Sequence, residues 1–254
     1  MFERRYRPIF AALTMLLWPG AASAEPGPNL AGRWAQLQVT TSVVDVPMSG
    51  PSEARITSLA LLDMEQDDND LAIQEVVCAV ESDGPTKIIR TEYPRGFAKA
   101  LSGRQRRARL EFSNGAWRYL EPKSYRSSGV ELADPEQDEL PFASEDPRVV
   151  DQDGDGHPGL TVRIAGWVNG EIYMIQRGWS ELSGIVRSKA QIEGSVAWSS
   201  EQRVLEATSN MLERAPLSRP HPQQEKSFFR MARVPERATC ADLEKRAPRL
   251  FGIR

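Results

Sequence analysis

The sequence predicts a mainly β fold, an antiparallel barrel or sandwich with one or two short helices. Three observations carry this. About ten short runs rich in Val, Ile, Leu, Thr and aromatic residues recur along the 254-residue chain, parted by turn-forming residues. Two Asn-Gly dipeptides, Asn114-Gly115 and Asn169-Gly170, sit between such runs and signal type I′ hairpins. No internal repeat is visible, and single all-β domains commonly reach this length, which predicts one domain over residues 25–254.

Residues 1–24 read as a secretory signal peptide. Arg4, Arg5 and Arg7 form its charged start and Ile9 to Trp18 its apolar core. Ala22-Ser23-Ala24 supplies the small-residue cleavage site. The apolar core is too short for a membrane span, and no later segment is long and apolar enough for one. The expectation is a soluble exported protein, periplasmic or secreted. Loss of the signal removes three arginines and Glu3 from 32 basic and 35 acidic residues, leaving a net charge near −5. That balance argues against nucleic acid as a partner, for which a basic footprint is expected. The one basic cluster, Arg104 to Arg109, reads as a solvated strand face or loop. Cys78 and Cys240 are the only cysteines, an even number in an oxidising compartment. They are expected to form a disulfide that ties the C-terminus to the body.

Leu30 to Val39 opens the first strand, after a leader containing Pro and Gly. Its Gly32-Arg33-Trp34 is similar to the Gly-x-Trp of lipocalins. That resemblance implies a Trp plugging one end of a ligand-binding barrel; a core aromatic is the alternative for Trp34. Further strands are expected at Ile56 to Leu62, Leu71 to Val80, Lys87 to Thr91 and Ala108 to Phe112. Tyr93 to Leu101 holds a short turn. Trp117-Arg118-Tyr119 returns from the first Asn-Gly turn. From about 121 to 150 the composition shifts to Pro, Ser, Asp and Glu, which predicts a long acidic surface loop.

That loop leads into Asp151-Gln152-Asp153-Gly154-Asp155-Gly156-His157-Pro158-Gly159. Three carboxylates at alternate positions repel one another. A hard cation such as Ca²⁺ relieves the repulsion, since it prefers several oxygen ligands in flexible geometry. Gly154 and Gly156 permit the positive φ angles that wrap such a loop. An EF-hand is excluded, because position 12 is Val162 rather than Glu and no helical pattern flanks the loop. The stretch resembles the Asp-x-Asp-Gly-Asp-Gly loops of integrin-type FG-GAP and thrombospondin type-3 repeats, which bind calcium. By that resemblance Asp151, Asp153 and Asp155 are side-chain ligands and His157 contributes its carbonyl. Those repeats usually carry Asp at position 9, where this chain has Gly159; Asp138, Glu145, Asp146 or water are the candidates for the missing oxygen. The other reading is a solvated acidic turn that Asp and Gly simply suit.

The second half continues with Leu160 to Val168, the Asn169-Gly170 turn, Glu171 to Gln176, and Gln191 to Trp198. Residues 199–214 fit either a helical face or a further strand. Ser227 to Val234 reads as the closing strand. Thr239 to Arg246 reads as a short helix capped by Thr239 and Asp242. With its signal, β-meanders and C-terminal Cys, the chain resembles uncharacterised exported β-rich proteins of bacteria.

No constellation for catalysis emerges. Only two histidines exist, His157 and His221, and the latter sits between prolines with no visible partner. Gly178-Trp179-Ser180 lacks the nucleophile-elbow pattern, and Ser180 reads as a turn residue. No zinc spacing or phosphate loop is present. The favoured function is an exported β-domain with one calcium loop of structural role, binding a small molecule, lipid or protein partner. The alternative is a secreted hydrolase using carboxylates of the acidic loop.

Overall fold

The computed structural model describes residues 27–46, 50–84, 89–213 and 218–252; the signal reading of residues 1–24 lies outside them. The fold is mainly antiparallel β. Eleven strands occur among the described residues: β1 (Gly32–Val46), β2 (Gly50–Asp67), β3 (Asp70–Asp83), β4 (Ile89–Glu92), β5 (Gln105–Ser113), β6 (Ala116–Ser128), β7 (Leu160–Gly166), β8 (Gly170–Ser188), β9 (Gln191–Ala207), β10 (Ser218–Pro220) and β11 (Phe228–Arg233). The helices are α1 (Arg95–Ala100) and α2 (Cys240–Phe251). No helix among the described residues is long and apolar enough to cross a membrane.

Eight strands close a ring in the order β8-β6-β5-β3-β2-β1-β11-β9, because β9 also pairs with β8. Closure is uneven. The β8–β9 ladder runs from Ile172↔Ala207 to Ser188↔Gln191, whereas β3 and β5 pair only from Asp70↔Arg109 to Gln74↔Gln105. β4 and β7 extend the sheet beside the first half of β8.

The period-two pattern of β1 explains both of its faces. Trp34 joins the barrel interior with Leu62, Leu71, Leu110, Tyr119 and Phe229. Ala35 and Leu37 point the other way and pack under α2 against Leu243, Ala247 and Phe251. Trp34 is fully buried, and its Nε1 donates to the Leu30 carbonyl at 2.8 Å. The Arg233 guanidinium lies 4.8 Å from the Trp34 ring centroid and donates to the carbonyls of Ala31, Asn29 and Lys189. Trp34 is therefore a core aromatic held on both sides.

Several boundaries differ from the sequence reading, each for a local reason. Residues 121–128 are not loop: Ser124 to Ser128 pair with Ser180 to Gln176 beyond a bulge between Glu121 and Ser124. Pro122 sits in that bulge, where its missing N–H removes no ladder bond. Ser180 is thereby a mid-strand residue rather than a turn. The Asn114-Gly115 turn forms as expected, with φ of +53° and +74° and Ser113 opposite Ala116. The Asn169-Gly170 turn does not: the last pair is Ile164↔Gly170, so five residues intervene. β7 runs on through Gly166 to pair with β4, and the Asn169 side chain closes the loop onto Gly166. Of residues 199–214, the described part, 199–213, is strand to Ala207, followed by a single 3₁₀ turn at Asn210–Leu212, and 214 lies outside the described residues.

α2 runs five residues past Arg246, through Pro248, because Ala247 and Phe251 are buried on the sheet and hold the last turns in place. Its start carries the expected capping box: Thr239 Oγ1 accepts from Asp242 N at 3.2 Å, and Asp242 Oδ2 accepts from Thr239 N at 3.0 Å. Thr239→Ala is expected to lower folding stability by about 1 kcal/mol. Urea denaturation checks this; an unchanged midpoint would count against the cap. The Cys78–Cys240 disulfide is formed, with Cα atoms 5.1 Å apart, and joins β3 to the first residue of α2.

Candidate functional site

The aspartate loop is built from its own backbone. Asp151 Oδ1 accepts from the N–H groups of Gly154 (2.8 Å) and Asp155 (3.1 Å), and Oδ2 accepts from Gly156 (2.8 Å). Gly154 and Gly156 hold φ of +74° and +90°, the conformations that turn those N–H groups inward. Asp155 Oδ1 accepts from His157 N, and its Oδ2 accepts from the Thr161 hydroxyl. Asp153 Oδ2 accepts from Thr161 N at 2.9 Å, whereas its Oδ1 is buried without a hydrogen-bond partner. One oxygen from each of the three carboxylates lies within 4.8 Å of the others.

The two ends of the loop are pinned. Gly159 N donates to Val150 O, and Gln152 N donates to Gly159 O. The Gln152 side chain accepts from Gly129 N and donates to the Ala100 carbonyl at the end of α1. A Cβ on Gly159 would lie 2.4 Å from the Met174 carbonyl oxygen, and its φ is +84°. That close approach to β8 accounts for glycine where the resembling repeats carry Asp. No side chain fits at position 9. Val162, at position 12, is buried against Phe97, Leu160 and Met174 and offers no ligand either.

The electrostatics follow the hydrogen bonds. Burial pushes Asp151 upward, but the three backbone N–H groups outweigh it and hold the carboxyl below its usual range. For Asp153 burial wins: its pKa is raised, with the charges of Asp155 and Asp151 adding and the Thr161 N–H opposing. Three carboxylates this close cost on the order of 1 kcal/mol per pair even in water.

Two of the carboxylates considered for the missing oxygen, Asp146 and Asp138, stand elsewhere. The His157 ring stacks on Tyr173, with centroids 4.1 Å apart. Asp146 is engaged by Arg148, and Asp138 caps the Asp134 N–H. Neither belongs to the clustered group. His221 does have partners: its Nδ1 accepts from Gln223 N, and its Nε2 lies 3.3 Å from Lys226 Nζ and 3.7 Å from Glu53 Oε2.

A second polar cluster escaped the sequence reading. Arg106, assigned to a solvated face, is 5 % exposed, as Arg107 and Arg109 on the opposite face are not. Its Nε and Nη2 donate to the two Glu121 carboxylate oxygens at 2.9 and 2.6 Å. Its Nη1 donates to Gln36 Oε1 at 2.9 Å and Glu75 Oε1 at 3.0 Å. Tyr119 Oη donates to Glu121 Oε2 at 3.1 Å. The signal was present as phase: Arg106 alternates with Ala108 and Leu110, and Glu75 with Leu71 and Ile73, all on the inward face.

Fold and loop together define a disulfide-tied, mainly β domain with a clustered aspartate loop. Comparison with known proteins finds no family model that matches the chain and no curated protein that matches it.

Proposed function

We propose that the chain is an exported β-barrel domain that binds a ligand or partner and uses the 151–157 loop to hold one Ca²⁺ as a structural clamp. The observation that carries the ion is Asp153 Oδ1, a shielded carboxylate oxygen without a donor, set beside two further carboxylates. A hard cation supplies the missing partner and offsets the mutual repulsion. The donor set is all oxygen, which favours Ca²⁺ over softer metals. Its role is to brace: the loop packs on α1, where the Asp153 carbonyl approaches Gly96, and feeds directly into β7. The disulfide accords with an oxidising compartment and so with export. Hydrolysis by the acidic segment draws less support, since Glu136, Asp138 and Asp146 are engaged by Tyr125, Asp134 and Arg148.

The affinity expected of such an extracellular-type site is on the order of 10⁻⁴–10⁻³ M. At ten times its dissociation constant the ion stabilises the fold by about 1.4 kcal/mol. That corresponds to a rise in Tm of about 3–6 °C between EDTA and saturating calcium. Asp153→Asn should abolish the shift. A melting curve indifferent to calcium, with no heat of binding by calorimetry, would refute the clamp.

A further inference from the structure

A cavity of about 830 Å³ crosses the sheet from β1 and β2, over β3, to the start of β5 and Pro122 of β6. This volume falls in the range of small-molecule sites. Its arginines and carboxylates are equal in number, but they are not evenly mixed. Arg33 faces Asp63 at 3.6 Å, and Arg106 is bound to Glu121. The charges left over are Arg104 and Arg107 at the β5 end and Glu65 and Glu236 at the end beside β1 and β2. None of these four forms an ion pair among the described residues.

The register sets the distance between the two ends. Ala72 on β3 pairs with Glu65 on β2 and with Arg107 on β5. Residues paired across a ladder share a face, and all three are exposed. A carboxylate and a guanidinium therefore flank a methyl group, their strands two spacings or about 9.5 Å apart. Gln74, next on that face of β3, and Gln105 opposite it add exposed amides beside the same floor.

We propose that this trough binds a short extended peptide with both ends free, its ammonium group at Glu65 and its carboxylate at Arg107. The chain lies across β3 over Ala72, where the Gln74 amide meets its peptide groups. This names a ligand class for the binding role proposed above and rests on it. Three extended residues span at most about 10 Å, which matches the two strand spacings. A single amino acid carries its charges too close together to reach both ends, and a simple anion brings no cation to Glu65. Arg107 suits the planar carboxylate through paired N–H donors. The site does not include the aspartate loop and does not depend on calcium.

The test is an isotope-edited NMR titration of the EDTA-treated protein, followed at the Ala72 and Gln74 amides. The separate probes are trialanine, N-acetyl-trialanine, trialanine amide and alanine. Trialanine should bind saturably and shift both resonances, and the other three should bind at least tenfold more weakly. Glu65→Gln should bring trialanine down to the level of the acetylated peptide, and Arg107→Gln to the level of the amide. Arg90→Gln on exposed β4 should change neither. Absence of saturable trialanine binding overturns the proposal, as does unchanged affinity in Glu65→Gln. Equal or tighter binding of a blocked peptide overturns the zwitterion and leaves the binding role standing, while loss of the calcium melting shift refutes the clamp alone. Should a variant fail to fold, the wild-type preference for trialanine over its blocked forms decides.

Discussion

Arg106→Met is expected to lower folding stability by about 3–5 kcal/mol at pH 7, equivalent to about 6–20 °C in Tm. Methionine fills much of the same space, so the loss is chiefly electrostatic. It strands Glu121, 3 % exposed, leaves Glu75, 7 % exposed, with only Arg126 at 4.0 Å from its Oε2, and leaves Gln36 Oε1 without its donor. The pH dependence distinguishes this from a packing defect. In the wild type burial pushes Glu75 upward, but Arg106, with Arg126 and Arg104 farther off, outweighs it and holds the pKa below the usual range. The stability it contributes is therefore fully present above its ordinary pKa of about 4.3 and is lost as pH falls through the depressed value. Without Arg106 the sign reverses for Glu75: burial outweighs the more distant Arg126 and Arg104, its carboxyl is raised, and the variant recovers stability as the pH falls toward 5 and Glu75 takes up a proton. Guanidinium denaturation at pH 7 and pH 5 should show the gap narrowing. A gap below 1 kcal/mol, or one equal at both pH values, would mean the network contributes little.

The same residues mark what the sequence could and could not reveal. Alternation showed the strands, because one face of each ladder is apolar: Trp34, Leu62 and Leu71 are inside where the period-two pattern puts them. The Asn114-Gly115 turn was legible because its two residues adopt the positive φ that type I′ requires. Arg106 was misplaced because charge was taken as a marker of exposure, and only pairing across three strands offsets the cost of burying it. Composition misled at 121–128 in the same way, since those polar residues lie on a strand whose partner, β8, is some fifty residues away. Gly159 was legible as a departure from the calcium loops but not as a necessity. That needed the Met174 carbonyl, which only the fold brings to 2.4 Å of an added Cβ.

Removing the disulfide should cost nearly as much as removing Arg106. Cys78 and Cys240 are 162 residues apart, and chain entropy assigns a loop of that length about 5 kcal/mol as an upper guide. The double variant Cys78→Ser/Cys240→Ser is expected to lose about 3–5 kcal/mol, somewhat below the ceiling where residual structure persists in the unfolded chain. The location of the loss is as informative as its size. Without the bond, α2 is held by Leu243, Ala247 and Phe251 on the outer face of β1 and β2, and by Arg230 donating to the Phe251 carbonyl. A twelve-residue helix has little stability of its own, so this contact has to carry it. Hydrogen exchange should therefore rise first in α2 and in the strand residues beneath it, while β8 and β9 stay protected. Adding Leu243→Ala to the double variant should release the helix altogether, with a further loss of about 2–4 kcal/mol. Uniform loss of protection across the barrel would instead make the disulfide a global restraint on the unfolded chain with no special hold on α2. A loss under 1 kcal/mol would remove it from the account of stability.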